Sequence, residues 1–146
     1  MASGNRGEEE VRKLSVELRY LEQTAEALQQ RLAMMNAAVT DLTYANATLE
    51  GIENTKEGTE VLVPIGGSSY VKTKLAPPDK VIVGLGAGVS VEKTLPEAKE
   101  IVKQRIEELE RTRISAQQQL GQIAERINQG RSRMDDLLAT LREGKQ

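Results

Sequence analysis

Cysteine, histidine, tryptophan and phenylalanine are all absent from this chain of 146 residues, and tyrosine occurs three times. Without cysteine the chain has no disulfide, no thiolate nucleophile and no thiolate metal ligand. Without histidine it lacks the commonest general base and the commonest metal ligand. Aromatic residues make up 2% of the sequence, so no thick aromatic core can form. These absences argue against an enzyme, a metal site and a cofactor site.

Long apolar runs are also missing, and none approaches the roughly 20 residues that a membrane-spanning helix needs. The polar first residues do not resemble a signal peptide. Charged residues make up 29% of the chain, and the net charge is −2 with both signs interspersed. This distribution is typical of a solvated helical surface and offers no basic stripe for nucleic acid. We therefore expect a cytoplasmic protein that binds neither nucleic acid nor membranes.

What the sequence does contain is two long repeats of mostly apolar residues at alternating intervals of three and four. The first repeat is Val11, Leu14, Leu18, Leu21, Ala25, Leu28, Leu32, Met35, Val39, Leu42, Asn46, Leu49. The second is Val102, Ile106, Leu109, Arg113, Ala116, Leu120, Ile123, Ile127, Gly130, Met134, Leu137, Leu141. A spacing that averages 3.5 over this length predicts a left-handed coiled-coil seam. We therefore expect two long helices that pair as an antiparallel hairpin.

The segment between the repeats changes to the alternating pattern of β-strands. We predict four strands in two consecutive β-hairpins, with glycine-rich turns near residues 65–68 and 86–88. Thr94 and Glu97 have the spacing of a capping box, with Pro96 in the first turn, so the second helix begins there. The predicted organisation is a flexible tail at 1–7, a helix at 8–53, two hairpins at 54–94, a helix at 95–142 and a tail at 143–146.

The predicted strands carry apolar residues on both faces. Two-stranded hairpins are only marginally stable alone, and open strand edges invite pairing with strands of other subunits. We therefore predict an obligate oligomer built through the β segment. The predicted oligomerisation residues are Val61, Val63, Ile65, Tyr70, Val71, Val81, Ile82, Val83, Leu85, Val89 and Val91.

The order helix, two β-hairpins, helix resembles the α class of prefoldin subunits of archaea. The local likeness lies in Val63-Pro64-Ile65-Gly66, in Tyr70-Val71 and in the glycine-containing stretch 81–88, and the whole resemblance covers about residues 8–142. It implies an α+β fold in which the strands join an oligomeric β-barrel platform that carries the coiled coils. It also implies an ATP-independent chaperone that captures unfolded polypeptides at its coiled-coil tips and delivers them to a group II chaperonin. The implied assembly is a hetero-hexamer of two α-type and four β-type subunits.

A substrate-binding tip needs apolar surface that its own seam does not bury. Val16, Tyr20 and Leu138 lie off the seam positions near the chain termini. Gly130 lies on the seam opposite Leu18, where it supplies no side chain and costs a helix about 1 kcal/mol relative to alanine. We therefore expect this end of the hairpin to be loosened and Leu18 to be poorly packed. The predicted substrate-binding residues are Val11, Leu14, Val16, Leu18, Tyr20, Met134, Leu137, Leu138 and Leu141.

Other candidate features have ordinary structural explanations or leave two interpretations open. Residues 81–88 run from a strand into glycines, but a dinucleotide-binding fingerprint needs a helix there and a strand follows. The adjacent carboxylates at 107–108 and at 135–136 point about 100° apart on a helix, so neither pair converges on a proton or a metal. Arg113 either fixes the register of the seam or offers a charge to a ligand. A static coiled-coil scaffold with the same β platform stays open as an alternative function.

Overall fold

A computed structural model describes the backbone of residues 2–144 and the side chains of residues 4–144. The elements in chain order are α1 (Ala2–Glu53), β1 (Glu60–Gly66), β2 (Ser69–Lys74), β3 (Lys80–Gly86), β4 (Val89–Thr94) and α2 (Leu95–Gly144). The contacts divide the chain into two compact units. The described residues up to Asn36 and from Arg111 onward form the first, and Ala37–Glu110 form the second. The prediction of two long helices with two β-hairpins between them is confirmed.

The first helix begins earlier than predicted, because residues 2–7 continue α1 instead of forming a tail. Once a helix has nucleated, each further residue gains a hydrogen bond at little cost, so a polar segment extends it readily. At the other end, Asn54 Nδ2 donates to the carbonyl of Glu50 at 3.2 Å and Thr55 Oγ1 to that of Gly51 at 2.6 Å. These bonds satisfy carbonyls that the end of a helix leaves open.

The second helix begins at the predicted capping box. The backbone N–H of Glu97 donates to Thr94 Oγ1 at 3.3 Å, as the spacing predicts. The Glu97 carboxylate accepts from the Thr94 hydroxyl at 2.8 Å, so the two side chains also bind each other directly. Lys93 lies 3.8 Å from the same carboxylate. The helix then runs to Gly144, two residues past the predicted end, and the rest of the predicted tail lies outside the described residues.

The two β-hairpins are close copies of each other. β1 pairs antiparallel with β2 and β3 with β4, as two separate two-stranded sheets. Val63 lies opposite Val71, and at the matching places Val83 lies opposite Val91. Each hairpin also has a register shift just before its turn. The middle of the chain therefore contains one supersecondary unit twice, since the two predicted hairpins share the same strand register and turn position.

Both hairpins turn through residues with positive φ, which is the geometry of a two-residue type I′ turn. In the first hairpin Gly67 has φ 56° and Ser68 has φ 60°, and in the second Ala87 has φ 51° and Gly88 has φ 76°. Alanine is unfavourable at such an angle, because its Cβ approaches the backbone carbonyl oxygen. Ala87 is therefore a locally strained position.

Ala87→Asn is expected to raise the free energy of unfolding by about 1 kcal/mol, because asparagine tolerates the left-handed conformation and Asn-Gly is the preferred pair of a type I′ turn. Urea denaturation followed by circular dichroism measures the change. Ala76→Asn is the matched control, since Ala76 is exposed and has no positive φ. Equal midpoints for the two variants would contradict the turn geometry assigned to Ala87.

Candidate substrate-binding end and assembly surface

The tip region, defined here as residues 4–25 of α1 and 123–144 of α2, brings the two seams together. A Cβ built on Gly130 would lie 2.6 Å from Leu18 Cδ2, and one built on Gly7 would lie 3.0 Å from Leu141 Cδ2. Leu18, Leu21 and Ile127 form a buried cluster. Partly buried residues pack against that cluster, namely Leu14, Ala25, Ile123 and Met134. The two helices therefore run antiparallel here, with Leu18 opposite Gly130 as the repeats predicted.

Three ion pairs between the helices flank this seam. Each joins a glutamate of α1 to an arginine of α2: Glu10–Arg133 at 2.8 Å, Glu17–Arg126 at 3.4 Å and Glu22–Arg131 at 2.9 Å. The hydrogen bond with Glu10 raises the pKa of Arg133 above its usual range. All of these side chains are exposed, and such pairs contribute little to stability but favour one register and one direction of pairing.

The predicted loosening of the seam at Gly130 is wrong. α2 continues through Gly130 without a break, and Leu18 is only 9% exposed. The position of Leu18 Cδ2 shows the reason, since this methyl group occupies the space that a Cβ at Gly130 would need. Gly130 therefore acts as a socket for Leu18. The burial of that leucine offsets the unfavourable helix propensity of glycine.

The nine predicted substrate-binding residues fall into three classes of exposure. Leu18 and Leu137 are buried in the seam. Four others are half-buried along it: Val11, Leu14, Met134 and Leu141. Three are exposed: Val16 at 70%, Tyr20 at 67% and Leu138 at 40%. Of the nine, these three leave the largest fraction of their apolar surface free.

These three exposed residues lie on two helices. Val16 and Tyr20 are four residues apart on α1 and so share a face of that helix, off the seam. Leu138 follows the buried Leu137 on α2 and lies at the flank of the seam. Three further apolar residues at off-seam positions of the helices are exposed and were not predicted as binding residues: Met34, Tyr44 and Ile114. Their positions outside the 3-4 repeat were the signal that could have identified them.

The predicted oligomerisation residues are mostly exposed, but the two hairpins differ. In the first hairpin all five are exposed: Val61, Val63, Ile65, Tyr70 and Val71. In the second, Ile82, Leu85 and Val89 are exposed, Val81 and Val91 are half-buried, and Val83 is buried. A groove places Val81 and Val83 beside the helix residues Leu42, Ala45, Leu49 and Val102. One face of the second hairpin is therefore covered by the chain's own helices, and the same face of the first hairpin is uncovered.

Two seam positions carry polar side chains, and a lysine–glutamate pair joins the helix ends at the hairpins. Arg113 and Asn46 are half-buried, and Asn46 Nδ2 lies 3.5 Å from Glu50 Oε1 of the same helix. Lys99 Nζ donates to Glu53 Oε2 at 2.6 Å, which joins the start of α2 to the end of α1. This hydrogen bond raises the pKa of Lys99. Because the folded pKa is raised, the contribution of the lysine charge is fully present below the ordinary lysine pKa and is lost as the pH rises through the raised value.

Within residues 4–144, no group of three or more acidic, histidine or cysteine side chains is placed to hold a metal ion. No helix of the part of the chain that the structure describes is long and apolar enough to cross a membrane.

Comparisons with known proteins identify relatives over most of the chain. The family profile described as prefoldin subunit matches residues 21–140. The chain is 34% identical over 134 residues to the prefoldin subunit alpha of Methanococcoides burtonii, with 92% of this chain and 89% of that protein covered. It is 30% identical over 138 residues to the protein of the same name from Nitrosopumilus maritimus, with 86% and 95% covered. A solved structure described as filamentous PFD from Methanocaldococcus jannaschii has a TM-score of 0.65 and 27% identity, and the match covers 84% of this chain and 95% of that one.

Proposed function

Because the chain belongs to the prefoldin family, we propose that it is an α-type subunit of a chaperone that holds unfolded polypeptides without using ATP. The observation that carries this proposal is that the described residues present two kinds of exposed apolar surface. One kind lies on the β-hairpins, where strands can pair with other subunits. The other is the set of exposed tip residues Val16, Tyr20 and Leu138, which can bind a non-native chain.

The proposed assembly is a hetero-hexamer of two α-type and four β-type subunits in the cytoplasm, which passes its substrate to a group II chaperonin. The uncovered first hairpin supports assembly with partner subunits, because two strands with apolar residues on an uncovered face need further strands or a covering layer. The family resemblance supports the stoichiometry, the compartment and the chaperonin. We further propose that the chain catalyses no reaction.

A structural assembly without substrate binding is the second candidate. The structural relative from Methanocaldococcus jannaschii is described as filamentous. A chain that assembles through its hairpins into a scaffold would retain the exposed strands but would have no use for exposed tip residues. The two candidates therefore differ in whether the assembled protein prevents a denatured protein from aggregating.

The triple variant Val16→Gln, Tyr20→Gln, Leu138→Gln is expected to need roughly tenfold more protein to suppress aggregation, because a loss of about 1.4 kcal/mol of apolar contact changes affinity tenfold. Light scattering of chemically denatured citrate synthase measures suppression, and sedimentation velocity checks that assembly is unchanged. Met34→Gln is the control, an exposed apolar residue outside the tip region. An assembled parent protein that suppresses no aggregation would favour the scaffold.

A further inference from the structure

Val16 has an unusual setting on the surface of α1. Its neighbours on a helix are the residues three and four positions away. Those residues are Arg12, Lys13, Arg19 and Tyr20, and all four are exposed. The exposed Val16 therefore has three cations and one exposed tyrosine as its neighbours on this face. We call Arg12, Lys13, Val16, Arg19 and Tyr20 the basic–apolar face.

The ion pairs of the tip region leave these cations available. The glutamates of α1 at positions 10, 17 and 22 bind arginines of α2. Among the side chains that the structure describes, none forms a salt bridge with Arg12, Lys13 or Arg19. Glu8 and Glu9 lie beside Arg12 in a shallow groove and offset part of its charge. Glu9 is also four positions from Lys13, so three cations and two carboxylates without a partner on α2 remain around Val16, and the face keeps a net positive charge.

Other exposed apolar residues of the same unit lack this setting. Met34 has only one charged helix neighbour, Arg31, beside Gln30, Ala37 and Ala38. Leu138 has one acidic neighbour, Asp135, and one basic neighbour, Arg142. The positive setting is therefore particular to Val16 among these exposed apolar residues and does not follow from the overall charge of the chain, which is −2.

We infer that the basic–apolar face binds unfolded segments in which carboxylates stand next to apolar side chains. Arginine and lysine at the rim pair with carboxylates, and Val16 and Tyr20 supply apolar contact between them. Charge complementarity selects this occupant, because a basic segment would meet like charge at three positions. The inference rests on the proposed function and deepens it, since it gives the chaperone a preference among non-native chains.

Two fluorescein-labelled peptides test this preference. Both are unstructured and contain leucine, serine and glycine in the same order, and they differ only in carrying aspartate or lysine at the same places. Fluorescence anisotropy measures their binding to the full-length chain assembled with a β-type partner subunit. At low salt we expect the acidic peptide to bind about tenfold more tightly, since three exposed charge pairs contribute modestly each. At about 1 M salt, where the Debye length is about 3 Å, the difference should disappear.

Matched variants assign the preference to this face. The triple variant Arg12→Gln, Lys13→Gln, Arg19→Gln keeps good helix formers and should lose the preference while still binding both peptides at high salt. The double variant Val16→Gln, Tyr20→Gln should weaken the binding of both peptides at high salt. Arg111→Gln removes an exposed arginine elsewhere in the same unit and should leave the affinities for both peptides unchanged.

The outcomes separate this inference from the proposed function. Two outcomes would overturn the inference alone, provided that the parent protein still suppresses aggregation of denatured citrate synthase. One is equal binding of the two peptides by the parent protein. The other is a preference for the acidic peptide that survives in the triple arginine and lysine variant. A parent assembly that neither binds the peptides nor suppresses aggregation would overturn both. Loss of the preference in the triple variant, with Arg111→Gln unchanged, supports the face as the site.

Discussion

Val63→Glu is expected to abolish assembly while both helices stay folded. Val63 is 43% exposed and lies opposite Val71 on the uncovered face of the first hairpin. An assembly that covers this face would bury the new carboxylate without a partner, at a cost of roughly 3–5 kcal/mol. That cost weakens association by roughly a hundredfold or more. Sedimentation velocity of the variant mixed with β-type subunits should show separate subunits.

The second hairpin shows how the position that corresponds to Val63 is covered when helices pack on it. Val83 stands at the matching position of that hairpin and is only 9% exposed, because the chain's own helices cover it. The first hairpin presents the same arrangement of valines with no cover among the described residues. Its cover must therefore come from another subunit if the exposed strands are to be stable.

Met34→Glu is the control for a new charge on an exposed apolar residue away from the strands. It should assemble as the parent protein does. Circular dichroism of both variants should show the same helical signal, since neither substitution touches a seam position. A Val63→Glu variant that still sediments as the full assembly would place the subunit contacts elsewhere than this face.

Features set by neighbours along the chain could be predicted from the sequence. The cap at Thr94 depends on residues three positions apart, and the hairpin turns depend on local glycines, so both appeared where expected. The pairing of Leu18 with Gly130 was also predicted, because two uninterrupted repeats joined by a compact insert leave few possible registers. Local spacing and repeat length therefore determined most of the fold.

Features set by how closely two elements approach could not be predicted in this way. The sequence showed a missing side chain at Gly130, but it did not show that Leu18 would fill the space. It likewise gave Val63 and Val83 the same pattern, although only Val83 is covered by the helices. Each error concerns contact between residues far apart in the chain. Only the structure therefore shows which of the candidate binding residues are buried and which are exposed.

Leu18→Ala is expected to lower the free energy of unfolding by roughly 2–5 kcal/mol, the usual cost of truncating a buried leucine. Leu18 belongs to the buried cluster of the tip region together with Leu21 and Ile127. Urea denaturation at fixed protein concentration measures the loss. If the seam were loosened at Gly130, Leu18 would already be partly solvated, and its truncation would cost much less.

A double-mutant cycle with Gly130→Ala tests the socket directly. In the parent protein the added Cβ would stand 2.6 Å from Leu18 Cδ2 and 3.3 Å from its Cγ, so the leucine must move. We expect the packing loss to cancel most or all of the roughly 1 kcal/mol that alanine gains over glycine in a helix. In the Leu18→Ala background the obstruction is gone, and the full gain should appear. The coupling between the two sites should therefore be about 1 kcal/mol, which is measurable for residues in contact.

Gly121→Ala is the matched control, because Gly121 also lies within α2 but has no atom within 4 Å of a built Cβ. It should gain about 1 kcal/mol in both backgrounds, since only helix propensity changes. Equal gains for Gly130→Ala and Gly121→Ala in both backgrounds would mean that Leu18 does not occupy the socket. The tip would then be loosened at rest, and its half-buried seam residues would join Val16, Tyr20 and Leu138 as surface for substrate. A socket filled by Leu18 would instead leave the proposed substrate binding to the residues that lie off the seam.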